Sequence, residues 1–187
     1  MKVITGLARG KNLIAPMGEH TRPTLSRIKE AIFSAIQFDI ADKVVLDLFA
    51  GSGQMGIEAL SRLAKSAVFV DNDKAAIVAI SRNLQETGLI SKSKIENSEC
   101  FSYVRHQRGT KKFDIVFVDA PYGKGLTDSM LKNIANTDVC TDDAFVICEC
   151  EKSEKLSESY GNFTIFKDKT YAKTRIVIYK NSSQKGE

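Results

Sequence analysis

The stretch "VFVDAPYGKG", residues 116–125, ends an apolar strand-like run with an acid, a small residue, a proline and an aromatic. Proline and tyrosine do little for a buried strand end, so Asp119, Ala120, Pro121 and Tyr122 read as a candidate catalytic set. The Asp119 carboxylate and the Ala120 carbonyl are two neighbouring acceptors. Pro121 has a fixed φ and helps aim that carbonyl. Tyr122 offers a flat face on which an extruded nucleobase can stack, worth ~1–3 kcal/mol. An exocyclic amine on a nucleobase is a poor nucleophile because its lone pair is delocalised into the ring. Two acceptors on its hydrogens favour the pyramidal shape that attacks an electrophilic carbon. Such catalysis is positioning and electrostatics, with no metal and no covalent enzyme intermediate. The turn through Gly123 and Gly125 leaves room for a substrate. Alone, these residues suit a proline-containing surface turn equally well.

A second motif shifts that balance. "LDLFAGSGQMG", residues 46–56, follows a strand and opens a helix, with glycines at 51, 53 and 56. This is the dinucleotide fingerprint, whose glycines let backbone approach a ligand closely, and Ala50, Gly51, Ser52 and Gly53 are read as the cofactor-binding turn. Asp71 stands 20 residues after Gly51, beside Asn72, where a carboxylate grips ribose hydroxyls. Asp47, four positions before Gly51, discriminates between cofactors. It would repel the pyrophosphate of a nicotinamide dinucleotide. It suits the ammonium and sulfonium of S-adenosylmethionine, which carries no phosphate. At "ENSEC", Glu99 can accept from an adenine amine and the Cys100 N–H can serve a ring nitrogen. An exposed acid at a helix start is also favoured by the helix dipole.

The elements that would position these groups follow from periodicity. Ile28, Ala31, Ile32, Ala35 and Ile36 form one helical face, capped by Thr24 or Ser26 after Pro23. "KVITG" and "KNLIA" read as two short strands of a hairpin. From residue 44 strands and amphipathic helices alternate, which implies a parallel sheet covered on both faces. "FTIFKDKTY" and "KTRIVIYK" break the rhythm as a closing hairpin, so one strand runs antiparallel. The reading is one α/β domain over 1–187: a hairpin-plus-helix extension (1–38), a doubly wound Rossmann-like core (39–180) and a frayed tail (181–187).

Composition narrows the class further. The 187 residues are 43% hydrophobic and 27% charged, as in a soluble globular domain. No apolar run reaches the ~20 residues of a membrane helix, and residues 1–11 lack a signal core, so a cytoplasmic protein without a membrane role is expected. Cys100, Cys140, Cys148 and Cys150 form no C-x-x-C pair and read as reduced, buried thiols. His20 and His106 stand far apart, so no metal site and no Ser-His-Asp triad is expected. Residues 1–43 hold seven Lys/Arg against four Asp/Glu, and residues 165–187 hold six against two. The middle of the chain is mildly acidic. Basic ends suggest a polyanion at the termini.

The sequence resembles the bacterial small-subunit rRNA guanine-N2 methyltransferases of the class I S-adenosylmethionine-dependent fold. The resemblance runs through "ITGLARGKNL", "TRPTLSRIKEAIF", "LDLFAGSGQMGIEALSR", "VFVDAPY" and "TYAKTRIVIY". It implies a seven-stranded sheet of order 3-2-1-4-5-7-6 with strand 7 antiparallel. It implies methyl transfer from S-adenosylmethionine to guanine N2 in 16S rRNA of the small subunit, by a chain read as a monomer. Candidate RNA contacts are Arg9, Lys11, Arg22 and Arg27 in the extension, Lys124 after the catalytic turn, and Lys173 and Arg175 in the hairpin. The basic run "RHQRGTKK" lies at the other end of its strand and reads as a solvated loop. Ala120 replaces the first proline of the family's catalytic tetrapeptide, which loosens the loop. Ala172 stands where a glycine is common in the hairpin; if that glycine serves to make room for RNA, docking is affected. Rival readings are an adenine-N6 or glutamine-N5 methyltransferase with a similar loop, an NAD-dependent oxidoreductase, and a non-catalytic RNA-binding assembly factor.

Overall fold

The computed structural model describes residues 1–17 and 25–182. His20, Arg22, Pro23, Thr24 and the tail after Ser182 lie outside the described residues. The chain divides into two compact units, Met1–Cys100 and Phe101–Glu187. Three of its eight strands lie in the first unit and five in the second.

In the first unit, helix α1 (Leu25–Ala35) is the one its apolar face predicts. Ile28 and Ile32 are buried on it, and Ile36 just beyond it. Ser26 falls inside the helix and cannot cap it. Strands β1 (Val44–Leu48), β2 (Ser66–Asp71) and β3 (Ser93–Asn97) run parallel in the order β3-β2-β1. Between them lie α2 (Gln54–Ser61) and α3 (Lys74–Thr87). The Asp73 carboxylate accepts from the Ala75 N–H at the start of α3, and Gly88 ends that helix at φ 74°. Strand β1 is buried from Val45 to Leu48, as a central parallel strand must be.

The N-terminal segment differs from the expected pair of strands. A single antiparallel bridge joins Lys2 to Asn12. Three backbone bonds flank it: Val3 N to Lys11 O at 3.0 Å, Gly10 N to Val3 O at 2.9 Å and Leu13 N to Met1 O at 2.9 Å. A longer ladder does not form because its groups are taken elsewhere. The amides of Ile4 and Thr5 donate to the two oxygens of Glu58 at 2.8 and 3.0 Å. Leu7 N donates to Ser61 O at 2.8 Å, and Ala8 N to Ser61 Oγ at 2.9 Å. Gly6 lies so close to α2 that a Cβ there would sit 1.8 Å from the Ser61 carbonyl. Glu58 has no exposed surface, and Lys29 Nζ and Arg62 Nε approach it at 3.2 and 2.9 Å. Lys29 also donates to Lys2 O at 2.7 Å.

Helix α4 (Cys100–His106) opens the passage to the second unit. There β4 (Phe113–Val118) pairs parallel with β5 (Cys140–Glu151), with helix α5 (Leu126–Thr137) between them in sequence. β8 (Thr174–Asn181) runs antiparallel to β5, and β7 (Phe163–Tyr171) antiparallel to β8. The order in this unit is β4-β5-β8-β7-β6, so β8 is the reversed strand the closing hairpin requires. The eighth strand, β6 (Ser159–Tyr160), has two residues, too few to carry a period. Asn181, read as the first residue of a frayed tail, belongs to β8 and is buried. Its Nδ2 donates to Thr141 O at 2.8 Å. The basic residues of the 105–112 run are all exposed, but Arg105 and His106 belong to α4 rather than to a loop, and Lys111 pairs with Asp142 at 3.4 Å. Among the described residues no helix is long and apolar enough to cross a membrane.

Ala172 occupies the turn between β7 and β8 with φ 53°. This is the first central position of a two-residue hairpin turn, where glycine is favoured because positive φ carries no Cβ penalty. The backbone alone therefore explains a glycine here, without any need for space for RNA. Ala172→Gly is expected to stabilise the chain by about 0.5–1 kcal/mol, read from the urea midpoint. Glu58→Ala, which strands a buried lysine and two amides, is expected to cost about 3–5 kcal/mol on the same assay.

Candidate active site

The glycine loop is a turn in which successive peptides are held from several sides. Phe49, Gly51 and Gly53 take φ values of 56°, 53° and 74°. Phe49 N donates to the Cys100 sulfur at 3.3 Å, and Ala50 N to Val70 O at 3.2 Å. Gly51 N donates to Asp71 Oδ2 at 2.9 Å, and Gly53 N to Ala50 O at 2.7 Å. Asn83 Nδ2 donates to the Ser52 carbonyl at 2.9 Å. Gly56 has a separate role: a Cβ there would lie 2.3 Å from the Phe69 ring, so this glycine lets α2 pack on β2.

Asp47 is 2% exposed, and its Oδ2 accepts from Gly56 N at 2.9 Å. Burial raises its pKa to about 7, against the pull of the Gly56 amide, and the charge of Asp71 adds to the rise. A buried acid of this kind favours a cation close by. No Lys or Arg occurs between residues 44 and 61 to neutralise a pyrophosphate. The donor set fits a cationic cofactor without phosphate.

Asp71 is half-buried, and both its oxygens accept backbone amides, Oδ2 from Gly51 and Oδ1 from Asp73 at 2.9 Å each. It braces the loop in addition to any contact with ribose; an ionised carboxylate has four acceptor positions, which leaves capacity for a hydroxyl. Asn72 and Glu99 are exposed, whereas Ala50, Ser52 and Cys100 are buried. Burial pushes the Cys100 thiol up to about 12, so it stays protonated. It accepts from Phe49 N and donates to Val70 O at 3.6 Å, a contribution to the loop that its peptide N–H did not suggest.

In the second unit the other candidate set follows β4. Asp119 is half-buried, Ala120 is 2% exposed and Pro121 is exposed. Tyr122 is half-buried, and its hydroxyl donates to Glu149 Oε1 at 3.0 Å and lies 3.5 Å from Thr174 Oγ1. Burial raises the tyrosine pKa, and the carboxylate of Glu149 reinforces this by accepting from its neutral form. Gly123 and Gly125 take φ of 75° and 61°, and a Cβ at either would meet nothing within 4 Å. The turn is open there, and the backbone conformation itself calls for glycine. Glu149 and Thr174 were not among the expected site residues. Glu149 lies within a run read as a buried strand, and its alternation gives a face but no partner.

The candidate RNA contacts divide into two groups. Arg9, Lys11, Arg27, Lys124 and Lys173 are exposed. Arg175 is otherwise engaged: Nε and Nη2 donate to the two oxygens of Asp168 at 3.0 and 2.6 Å, and Nη1 donates to Glu154 O at 3.1 Å. That clamp gives it a structural role in the hairpin. The four cysteines are unpaired by disulfides and buried, as expected. Among the described residues no group of three His, Cys, Asp or Glu could hold a metal ion.

Fold and glycine loop together define a class, the S-adenosylmethionine-dependent methyltransferases of the class I fold. Within that class, residues 1–180 match the model of the family described as "Conserved hypothetical protein 95", and the chain belongs to that family. The Bacillus subtilis protein YlbH is 35% identical over 182 residues, 96% of this chain and 98% of that relative. The Escherichia coli protein named "Ribosomal RNA small subunit methyltransferase D" is 31% identical over 184 residues, 98% of this chain and 91% of that relative. The solved structure of yhhF from Escherichia coli superposes with a TM-score of 0.86 at 29% identity, covering 98% of this chain and 99% of that one.

Asp47 makes a pH prediction with a defined sign. Folded, it keeps its proton up to about pH 7, whereas unfolded it releases it near the usual carboxylate value. Folding therefore takes up a proton between those values, and this group's contribution to stability falls as pH rises through that window. Asp47→Asn, which keeps an acceptor for Gly56 N, should flatten the dependence of the urea midpoint on pH between about 4 and 7. Equal slopes in the two proteins would refute the assignment.

Proposed function

We propose that this chain transfers a methyl group from S-adenosylmethionine to the exocyclic N2 of a guanine in 16S rRNA. The observation that carries the reading is the pair of acceptors at Asp119 and Ala120 followed by an aromatic whose hydroxyl is tied down. The ribosomal RNA substrate is supported by the printed name of the Escherichia coli relative, and guanine N2 over its adenine and glutamine rivals, which have a similar loop, by the resemblance of the N-terminal "TRPTLSRIKEAIF" stretch.

Bound S-adenosylmethionine supplies a methyl carried on a sulfonium. The chain's own work is done on the nucleophile. The Asp119 carboxylate accepts one hydrogen of the guanine amine and the Ala120 carbonyl the other, which favours the pyramidal nitrogen. The amine becomes positively charged as the new C–N bond forms, and Asp119 stabilises that charge and is positioned to take the proton it sheds. Tyr122, its hydroxyl held by Glu149, presents its ring to the extruded base. Arg9, Lys11, Arg27, Lys124 and Lys173 are the residues we assign to the phosphates, where affinity falls steeply with salt. Arg22, also assigned to the phosphates from its sequence position, lies outside the described residues. The basic ends of the chain fit that assignment.

The test uses small ribosomal subunits from cells lacking this modification, incubated with methyl-labelled S-adenosylmethionine and the wild-type chain, followed by mapping of the labelled nucleotide. Label on N2 of one guanine is expected; label on adenine, or on protein alone, would sink the assignment. Asp119→Ala should reduce transfer by about 10²–10³-fold. Its affinity for S-adenosylhomocysteine should stay within about threefold of wild type, because Asp119 acts on the base. A non-catalytic assembly factor would show no such loss.

A further inference from the structure

The side chain of Asn83, on α3, is 1% exposed and has every polar atom engaged. Its Oδ1 accepts from Ile14 N at 2.8 Å, and its Nδ2 donates to Ile14 O at 2.9 Å. The carboxamide thus pairs with residue 14 as a neighbouring strand would. The second hydrogen of Nδ2 goes to the Ser52 carbonyl at 2.9 Å, in the middle of the glycine loop. Ser52 is buried, and its hydroxyl donates to the Met1 sulfur at 3.4 Å. One side chain therefore holds both the peptide between Gly51 and Gly53 and the end of the N-terminal segment.

That segment is bonded back on itself. Leu13 N donates to Met1 O, Val3 N to Lys11 O and Gly10 N to Val3 O. Ile4 and Thr5 donate to Glu58 on α2, the helix that the glycine loop opens. A change in the order of the loop thus reaches residues 1–14 by two routes, through α2 and through Asn83. The Asn83 route is the direct one, because it starts at the Ser52 carbonyl itself. Arg9 and Lys11 are exposed on the turn of the same segment.

We propose that Asn83 is a positioning residue that couples occupancy of the glycine loop to the order of residues 1–14. The turn bearing Arg9 and Lys11 is then firm when the methyl donor is in place. The coupling is entropic in origin. A ligand that stiffens the loop fixes the Ser52 carbonyl, which fixes the carboxamide, which fixes Ile14. Ordering already achieved for one ligand need not be repeated for the second, so each tightens the other by the same factor. The inference rests on the cofactor half of the reading above and is independent of which base is methylated.

The test is amide hydrogen exchange of the full chain, with and without S-adenosylhomocysteine, in wild type, Asn83→Ala and Asn83→Asp. In wild type the cofactor product should slow exchange at Val3, Leu13 and Ile14 by about tenfold or more. Asn83→Ala should bind S-adenosylhomocysteine at least tenfold more weakly by calorimetry, and saturating ligand should no longer protect Leu13 and Ile14. Asn83→Asp keeps an acceptor for Ile14 N but sets a carboxylate against the Ser52 and Ile14 carbonyls, so it should lose the coupling as well. The wild-type comparison needs no variant to fold. A wild-type chain that binds the ligand with no change in exchange over residues 1–14 would overturn the coupling alone. Equal protection in wild type and a folded Asn83→Ala would overturn the role of Asn83. A wild-type chain that binds no S-adenosylhomocysteine would overturn the cofactor reading and this inference with it.

Discussion

A carboxylate without water is the fixed point of the first unit. Glu58 has no exposed surface, and removing a charge from solvent is costly unless its lone pairs are filled. Here two adjacent amides, a lysine and an arginine fill them. The lysine is itself buried, and its pKa is lowered by that burial even against the attraction of Glu58. An apolar pair could pack as well. What the ionic arrangement adds is direction: the carboxylate accepts from Ile4 and Thr5 only if those peptides turn towards α2. Residues 1–14 are therefore specified less by pairing with themselves than by the helix they sit on.

The same helix begins at the glycine loop, so anchoring and cofactor chemistry share one element. The loop takes left-handed backbone at three of five consecutive residues, Phe49 among them, where a side chain makes that conformation unfavourable. The surroundings over-determine it through Cys100, Val70, Asp71 and Asn83. In the second unit half-buried Tyr122 is held by the same logic, through a hydroxyl tied to Glu149.

Much of this was legible in the sequence, for physical reasons that differ by element. The parallel strands and their helices carried strong periods, and the glycine spacing with Asp71 is set by backbone sterics, which local sequence records directly. The N-terminal strands were misread because alternation shows a preference for extended backbone and not the partner of each amide. Glu58 and Asn83 were passed over because both lie in helical runs, where a polar residue suggests a solvated face. An acid in "MGIEALS" has almost no polar company, which is the one signal that it must be paired. Arg175 read as an exposed base because Asp168, seven residues away, faces it only once the hairpin folds. Short β6 carried no signal at all.

The missing proline at Ala120 can be weighed in the same terms. A second ring in the tetrapeptide would restrict φ at that residue and lower the entropy of the free loop. Here Ala120 is 2% exposed, so its side chain is fixed by what surrounds it. Two residues later Tyr122 is fixed by the bond to Glu149, with Thr174 Oγ1 3.5 Å from the same hydroxyl. Pro121 between them still has its φ locked. The carbonyl of Ala120 thus lies between a packed side chain and a rigid ring, and packing restrains it where the covalent ring is absent. Restraint of that kind depends on the strand behind it, Phe113–Val118, which is buried along nearly its whole length. The aim of the acceptor pair is set by the sheet, and the substitution moves the source of rigidity without removing it.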